Sequence, residues 1–350
     1  MPVRVLIVED SVSVRRHLCS VLSDDAGFEV VAETGDGKEA IHLCATLRPD
    51  VMSMDMMLPV MSGLAATEYI MSHCPTPILI VSASTNRGEV FKTYEALAAG
   101  AIDVLEKPSG TEPPGEWEHK YRRSLKLVAR IRPVTHVRSR LQQLTPRAGA
   151  AMTFDPGSKY QLVAIGASTG GPGAVLEVLR ALPRNFPLPV LVVLHIGEPF
   201  AAGLAEWLDG QTGFRVAPAT DGQLVAAAAG RVTMAPPGTH LVVRDRRLRL
   251  TRDAERHSCR PAVDPLFESL ALEYGGATAA CLLTGMGRDG AAGLLEIRRA
   301  GGLTIAQDEA TSVVYGMPRE AVLLGAATKV LPLEEIGPCL GSLIEQRRRA

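Results

Sequence analysis

Ser168, His195 and Asp289 each stand just past an apolar run, and a hydroxyl, an imidazole and a carboxylate are the groups that serine-based acyl transfer requires. Ser168 lies in Gly166-Ala167-Ser168-Thr169-Gly170-Gly171, which fits the G-x-S-x-G nucleophile elbow. Glycines on both sides of the serine allow a sharp, strained strand-to-helix turn that lifts its Oγ out of the sheet. The pattern alone also fits a tight connection or an anion-binding helix start. The order Ser…His…Asp matches none of the best-known triads, but a triad is defined by geometry and roles. A second set, Glu9, Asp10, Asp55, Ser82 and Lys107, follows four other apolar runs. Three carboxylates, a hydroxyl and a lysine on one edge suit a hard cation with oxygen ligands holding a phosphate.

These groups converge only if the runs before them are parallel strands of a doubly wound sheet, whose carboxyl ends share one edge. In the C-terminal half the runs are residues 162–167, 190–194 and 279–284, with helical stretches expected at 174–182 and 266–272. In the N-terminal half they are residues 4–8, 51–54, 77–81 and 101–105. The expected fold is therefore α/β, with two doubly wound domains: residues 1–124, a basic linker at 125–157, and residues 158–347.

A chain of 350 residues, 46% hydrophobic, can fill two cores. The net charge of -1 gives no global pull toward nucleic acid or membrane. Cys19, Cys44, Cys74, Cys259, Cys281 and Cys339 lack C-x-x-C spacing and read as reduced packing residues of a cytoplasmic protein. No signal peptide is expected before the early acidic residues, and no apolar run reaches the length of a membrane span. Tyr121, Leu125, Val128 and Ile131 fall at helical spacing ahead of Pro133, in a basic stretch that reads either as a solvated face or as a hinge helix. His240 reads as a packing or turn residue, and Asp264, before Pro265, as an N-cap. His257 and Cys259 lack the second pair that a metal site needs, and Arg347 to Arg349 read as a solubilising end.

The segment from Ala164 to Pro172 resembles the nucleophile motif of the chemotaxis protein-glutamate methylesterases. So do Ala235-Pro236-Pro237-Gly238-Thr239-His240-Leu241, Arg260-Pro261-Ala262-Val263-Asp264-Pro265-Leu266-Phe267, Leu282 to Gly290, and Gln307 to Pro318. The resemblance implies Ser168 as nucleophile, His195 as base and Asp289 as its orienting carboxylate. The activity it implies is demethylation of glutamate methyl esters on chemoreceptors, with deamidation of glutamines there. The amide after Ser168, that of Thr169, and the amide of Met286 lie in Gly-rich turns and are candidate oxyanion donors; the resemblance favours Met286. After His195 the family usually continues Met-Pro, whereas this chain reads Ile196-Gly197-Glu198-Pro199-Phe200.

The N-terminal half resembles the receiver domain of response regulators, a flavodoxin-like fold. That implies Asp55 as phospho-acceptor and a histidine kinase as donor. It also implies Mg²⁺ on Glu9, Asp10, Asp55 and the backbone carbonyl of Met57, with Ser82 and Lys107 contacting the phosphoryl group. Val104 stands where an aromatic is usual. The unphosphorylated receiver is expected to hold the esterase in check. Two other readings, a silent phospho-dependent adaptor and a nucleotide-binding oxidoreductase, fit less well, since the three groups are intact and the G-x-G-x-x-G spacing is lacking.

Overall fold

The computed structural model describes residues 1–83, 87–108, 110, 112–131, 159–196 and 198–344. The chain divides into two compact units, Met1–Leu144 and Thr145–Ala350. Most of the linker expected at 125–157, the arginines at 347–349 and Gly197 lie outside the described residues.

In the N-terminal unit five strands alternate with helices: β1 Val3–Val8, α1 Val12–Ser23, β2 Phe28–Thr34, α2 Gly37–Leu47, β3 Val51–Met54, α3 Gly63–His73, β4 Ile78–Ser82, α4 Arg87–Ala98, β5 Asp103–Glu106 and α5 Glu116–Val128. The sheet is parallel throughout, in the order β2-β1-β3-β4-β5. Chain direction across the sheet therefore reverses between β1 and β3, where doubly wound folds bind ligands. Glu9 and Asp10 follow β1 and Asp55 follows β3. Gly63 opens α3 against this edge, and a Cβ there would lie 1.9 Å from the Asp55 carbonyl oxygen.

The helical spacing read around Tyr121 belongs to α5, which packs on β3, β4, β5 and α1. Trp117, Tyr121, Leu125 and Val128 are its buried residues. Leu125 and Val128, placed in the linker by sequence, thus belong to the core of this unit. Not every cysteine is isolated: α2 and the end of α3 bring Cys44 and Cys74 to a sulfur–sulfur distance of 3.8 Å.

The C-terminal unit begins with β6 Leu162–Ala167, α6 Gly171–Ala181, β7 Val190–Leu194, α7 Glu198–Gln211, β8 Arg215–Pro218 and β9 Arg231–Met234. An antiparallel hairpin follows, β10 His240–Arg244 and β11 Arg247–Thr251. The chain continues with α8 Val263–Glu273, β12 Thr278–Leu282, α9 Ala291–Arg299, β13 Leu303–Gln307, α10 Met317–Leu323, β14 Lys329–Leu331 and α11 Leu333–Gly341. The main sheet is parallel, in the order β14-β13-β12-β6-β7-β9-β8. Strands β6, β7 and β12 are buried at every position, which is why they read as unbroken apolar runs rather than alternating ones.

One side of this sheet packs against Val263, Leu266, Phe267 and Leu270 of α8, Leu294 and Ile297 of α9, and Leu241, Val243 and Leu248 of the hairpin. Full burial of one such Leu or Phe contributes roughly 1.5–3 kcal/mol. Helices α6 and α11 pack on each other and against β6 and β13. The winding reverses between β6 and β12, so the crevice past their carboxyl ends is the expected site. Among the described residues no helix is long and apolar enough to cross a membrane.

Candidate active site

Ser168 is the first residue past β6, and its amide donates to the Thr284 carbonyl beyond β12 (3.0 Å). The turn into α6 is closed by the Gly171 amide on the Ser168 carbonyl (2.7 Å). The left-handed residue of this turn is one of the flanking glycines, Gly170, at φ 76°, and Ser168 keeps a negative φ. A side chain at Gly170 would also meet Val313 at 2.6 Å, so the glycine serves both the turn and the close approach of the 307–318 segment. Ser168 is partly exposed, and among the described residues no group hydrogen-bonds its Oγ.

His195 follows β7, its amide bonded to the Ala167 carbonyl (3.1 Å), which sets it beside the serine turn. Its Nε2 meets Asp289 Oδ2 at 2.7 Å. Nδ1 lies 3.6 Å from Cys259 Sγ. The carboxylate therefore takes Nε2 rather than the Nδ1 it takes in the best-known Ser-His-Asp sites, and Nδ1 is the ring nitrogen it leaves free.

Asp289 stands in the loop between β12 and α9 and is 1% exposed. Besides His195 it accepts the amides of Val263 (2.6 Å) and Asp264 (3.0 Å), the first residues of α8. Asp264 is not the N-cap of its own helix; Ala262 holds that position. Its side chain instead accepts the Gly293 amide of α9 (2.7 Å) and meets His257 Nε2 (2.8 Å). Each carboxylate thus caps the other's neighbouring helix, a pairing between segments that no local pattern displays.

Burial alone would push the His195 imidazole down. The Asp289 hydrogen bond, the Cys259 contact and the Asp289 charge outweigh it and carry the group up to about 9. For Asp289, burial pushes up, but the His195 bond and charge and the two amides hold it below the usual carboxylate range. Both shifts favour an imidazolium–carboxylate pair at rest.

Met286 shapes the opposite rim. The Gly285 amide goes to the Val314 carbonyl, and the Gly285 carbonyl takes the amides of Gly316 and Met317. Among the described residues the Met286 N–H has no acceptor. Beneath this loop Gln307 is fully buried, accepting the Thr284 amide (2.7 Å) and donating to the Thr311 carbonyl (2.8 Å). Thr284 Oγ1 in turn donates to the Thr169 carbonyl (3.0 Å). Gln307 and Thr284 lie within motifs recognised in the sequence, but their supporting role shows only in this network. His240 is a packing residue as expected, bridging the Ala254 carbonyl and the Ala262 amide (3.1 Å each). Cys259 and Asp264 are the contributors that sequence reasoning missed.

In the N-terminal unit Lys107 Nζ sits 2.9 Å from Glu9 and 3.0 Å from Asp55. Glu9, Asp10 and Asp55 offer carboxylate oxygens within 4.8 Å of one another. Burial, together with the Asp55 charge, pushes Glu9 up to about 7 against the pull of Lys107, and burial raises Asp55 as well. One lysine therefore leaves this carboxylate cluster short of positive charge, and an all-oxygen donor set suits a hard divalent cation such as Mg²⁺. Met56 and Met57 donate their amides to the Asp55 carboxylate, so Met57 lies at the same rim. Ser82 ends β4 fully buried, its hydroxyl 3.4 Å from the Ala83 carbonyl.

Residues 163–340 match the CheB methylesterase family and residues 5–113 the response regulator receiver domain. A protein-glutamate methylesterase/protein-glutamine glutaminase 2 of Anaeromyxobacter dehalogenans (strain 2CP-C) is 44% identical, covering 98% of this chain and 97% of its own. The chain belongs to the CheB methylesterase family. Another relative, the protein-glutamate methylesterase/protein-glutamine glutaminase of Nitrosospira multiformis, is 41% identical over 99% of this chain and 98% of its own. The Thermotoga maritima CheB methylesterase catalytic domain, a crystal structure, superposes with a TM-score of 0.50 at 37% identity, covering 53% of this chain and 98% of that one. This CheB family member thus carries a receiver domain ahead of its catalytic domain, in the order expected from the sequence.

Proposed function

We propose that the chain removes methyl groups from glutamate side chains of chemotaxis receptors, deamidates receptor glutamines at the same site, and does so under control of phosphorylation at Asp55. The observation that carries the mechanism is the His195–Asp289 pair at 2.7 Å on the strand-end edge that also bears Ser168. Ser168 Oγ attacks the ester carbonyl while His195 Nδ1 takes its proton, and Asp289 stabilises the imidazolium. The tetrahedral oxyanion is held by the Met286 amide, with that of Thr169 beside it. Methanol, or ammonia from glutamine, leaves with the proton returned by His195, and water repeats the sequence on the acyl-enzyme. The test is methanol release from methylated receptors, dependent on Ser168.

The base must be neutral to act, and the free imidazole is held up at about 9. The value for kcat/KM should therefore climb about tenfold per pH unit through neutrality and level off near 9, instead of the midpoint near 6.5 of an ordinary histidine. A profile already level at pH 7 would contradict this.

In the receiver, Glu9, Asp10, Asp55 and the Met57 carbonyl would hold Mg²⁺, whose charge neutralises phosphoryl oxygens during transfer. Asp55 accepts the phosphoryl from a histidine kinase or a small phosphodonor, and Lys107 and Ser82 contact its oxygens. Asp55→Ala should leave the basal rate intact and abolish the gain from phosphodonor, measured as methanol release with and without it. A retained gain would place the acceptor elsewhere. The reading sets this chemistry in the cytoplasm, with no nucleic acid and no membrane insertion.

A further inference from the structure

The mechanism above leaves unused the contact between Cys259 Sγ and His195 Nδ1, at 3.6 Å. That distance suits a hydrogen bond involving sulfur, a thiol being a weak donor and, toward a protonated ring nitrogen, a weak acceptor. Asp289 takes Nε2, so Nδ1 is the ring nitrogen that must receive the serine proton, and in this structure it faces the cysteine.

The contact follows from how the segment is built. Arg256 and Cys259 exchange both backbone hydrogen bonds (3.2 and 2.9 Å) around His257 and Ser258. These two residues are both left-handed, at φ 53° and 59°, a conformation costly for any side chain with a Cβ. Around the turn, buried His240 bonds to Ala254 on one side and Ala262 on the other. Arg256 pairs with Glu268 (2.8 Å), and His257 with Asp264 (2.8 Å). A tight turn pinned at both ends fixes where the sulfur sits.

We infer that Cys259 is a positioning residue that accepts a hydrogen bond from His195 Nδ1–H at rest, keeping the imidazole turned from Ser168 until substrate binds. This rests on the Ser168–His195–Asp289 reading. The charged and titratable groups around the ring are Asp289 on Nε2 and Cys259 on Nδ1. Behind them stand His257, 3.9 Å from Asp289, then Asp264, and Arg256 at 3.8 Å from Asp264. The upward shift of His195 includes a contribution from Cys259.

The test uses the full chain with Cys259→Ala and Cys259→Ser, each checked for an unchanged melting profile. Two readouts are taken: the pH dependence of kcat/KM for methanol release, and the NMR titration of the His195 ring without substrate. In Cys259→Ala both midpoints should fall by about one pH unit, corresponding to about tenfold more neutral imidazole at pH 7 and a faster rate there. Cys259→Ser, whose hydroxyl also accepts a hydrogen bond, should fall between the two. A lost packing contact alone would not raise the neutral-pH rate. Titration of His195 in Cys259→Ala that superimposes on wild type overturns the inference, even where Ser168-dependent activity is present. If Ser168→Ala keeps full activity, the triad reading fails instead, and the NMR titration still decides the Cys259 contact.

Discussion

Ser168→Ala should lower methanol release by several orders of magnitude, on the scale of about 10⁶ seen when a triad serine is removed. The hydroxyl is the proposed nucleophile, and alanine has no group that can form the acyl-enzyme. The fold should survive, because the bonds that hold residue 168 are backbone ones: its amide to the Thr284 carbonyl, and its carbonyl to the Gly171 amide. Alanine keeps the Cβ that packs beside Gly285, where any added Cβ would lie 2.8 Å away. Loss of rate with an unchanged melting temperature is therefore the expected pair of results. Wild-type methanol release from the purified variant would end the serine mechanism.

Asp289→Asn should cost about 10⁴ in kcat, as the analogous change does in a well-studied protease. Here it should also cost stability. One carboxylate oxygen accepts from Val263 N–H and His195 Nε2, the other from Asp264 N–H. An amide NH₂ in either orientation faces a backbone donor, leaving a buried group unsatisfied at roughly 1–3 kcal/mol. Removing the charge also lets the His195 pKa fall from about 9, so the remaining activity should reach its plateau at lower pH. Calorimetry and a pH series on the variant check both. An Asp289→Asn enzyme with wild-type kcat and melting temperature would remove Asp289 from both roles.

The positions of the reactive groups were largely legible in the chain. Fully buried parallel strands read as unbroken apolar runs, so residues 162–167, 190–194 and 51–54 coincide with β6, β7 and β3, and the groups just past them were readable as strand-end groups. What escaped was contact between segments far apart in sequence. Asp264 precedes a proline inside a helical pattern and so reads as a local cap, yet its acceptor serves Gly293, 29 residues away. Cys259 and His257 read as an incomplete metal pair, because nothing local reveals that a left-handed turn delivers one to His195 and the other to Asp264. The same holds for α5, whose helical spacing was plain while the sheet it covers was not. The serine turn was read as a sharp one that its flanking glycines allow, and the backbone places the left-handed residue at one of them, Gly170, where glycine adopts it without cost.

Methanol released from membranes carrying methylated chemoreceptors decides whether this chain is a phosphorylation-controlled esterase acting through Ser168. The full chain should release methanol, faster with a small phosphodonor and Mg²⁺ than without, and the Ser168→Ala chain should release none above buffer. A correctly folded full chain that releases no methanol with phosphodonor present, or a Ser168→Ala chain that releases it at the wild-type rate, would rule out this function.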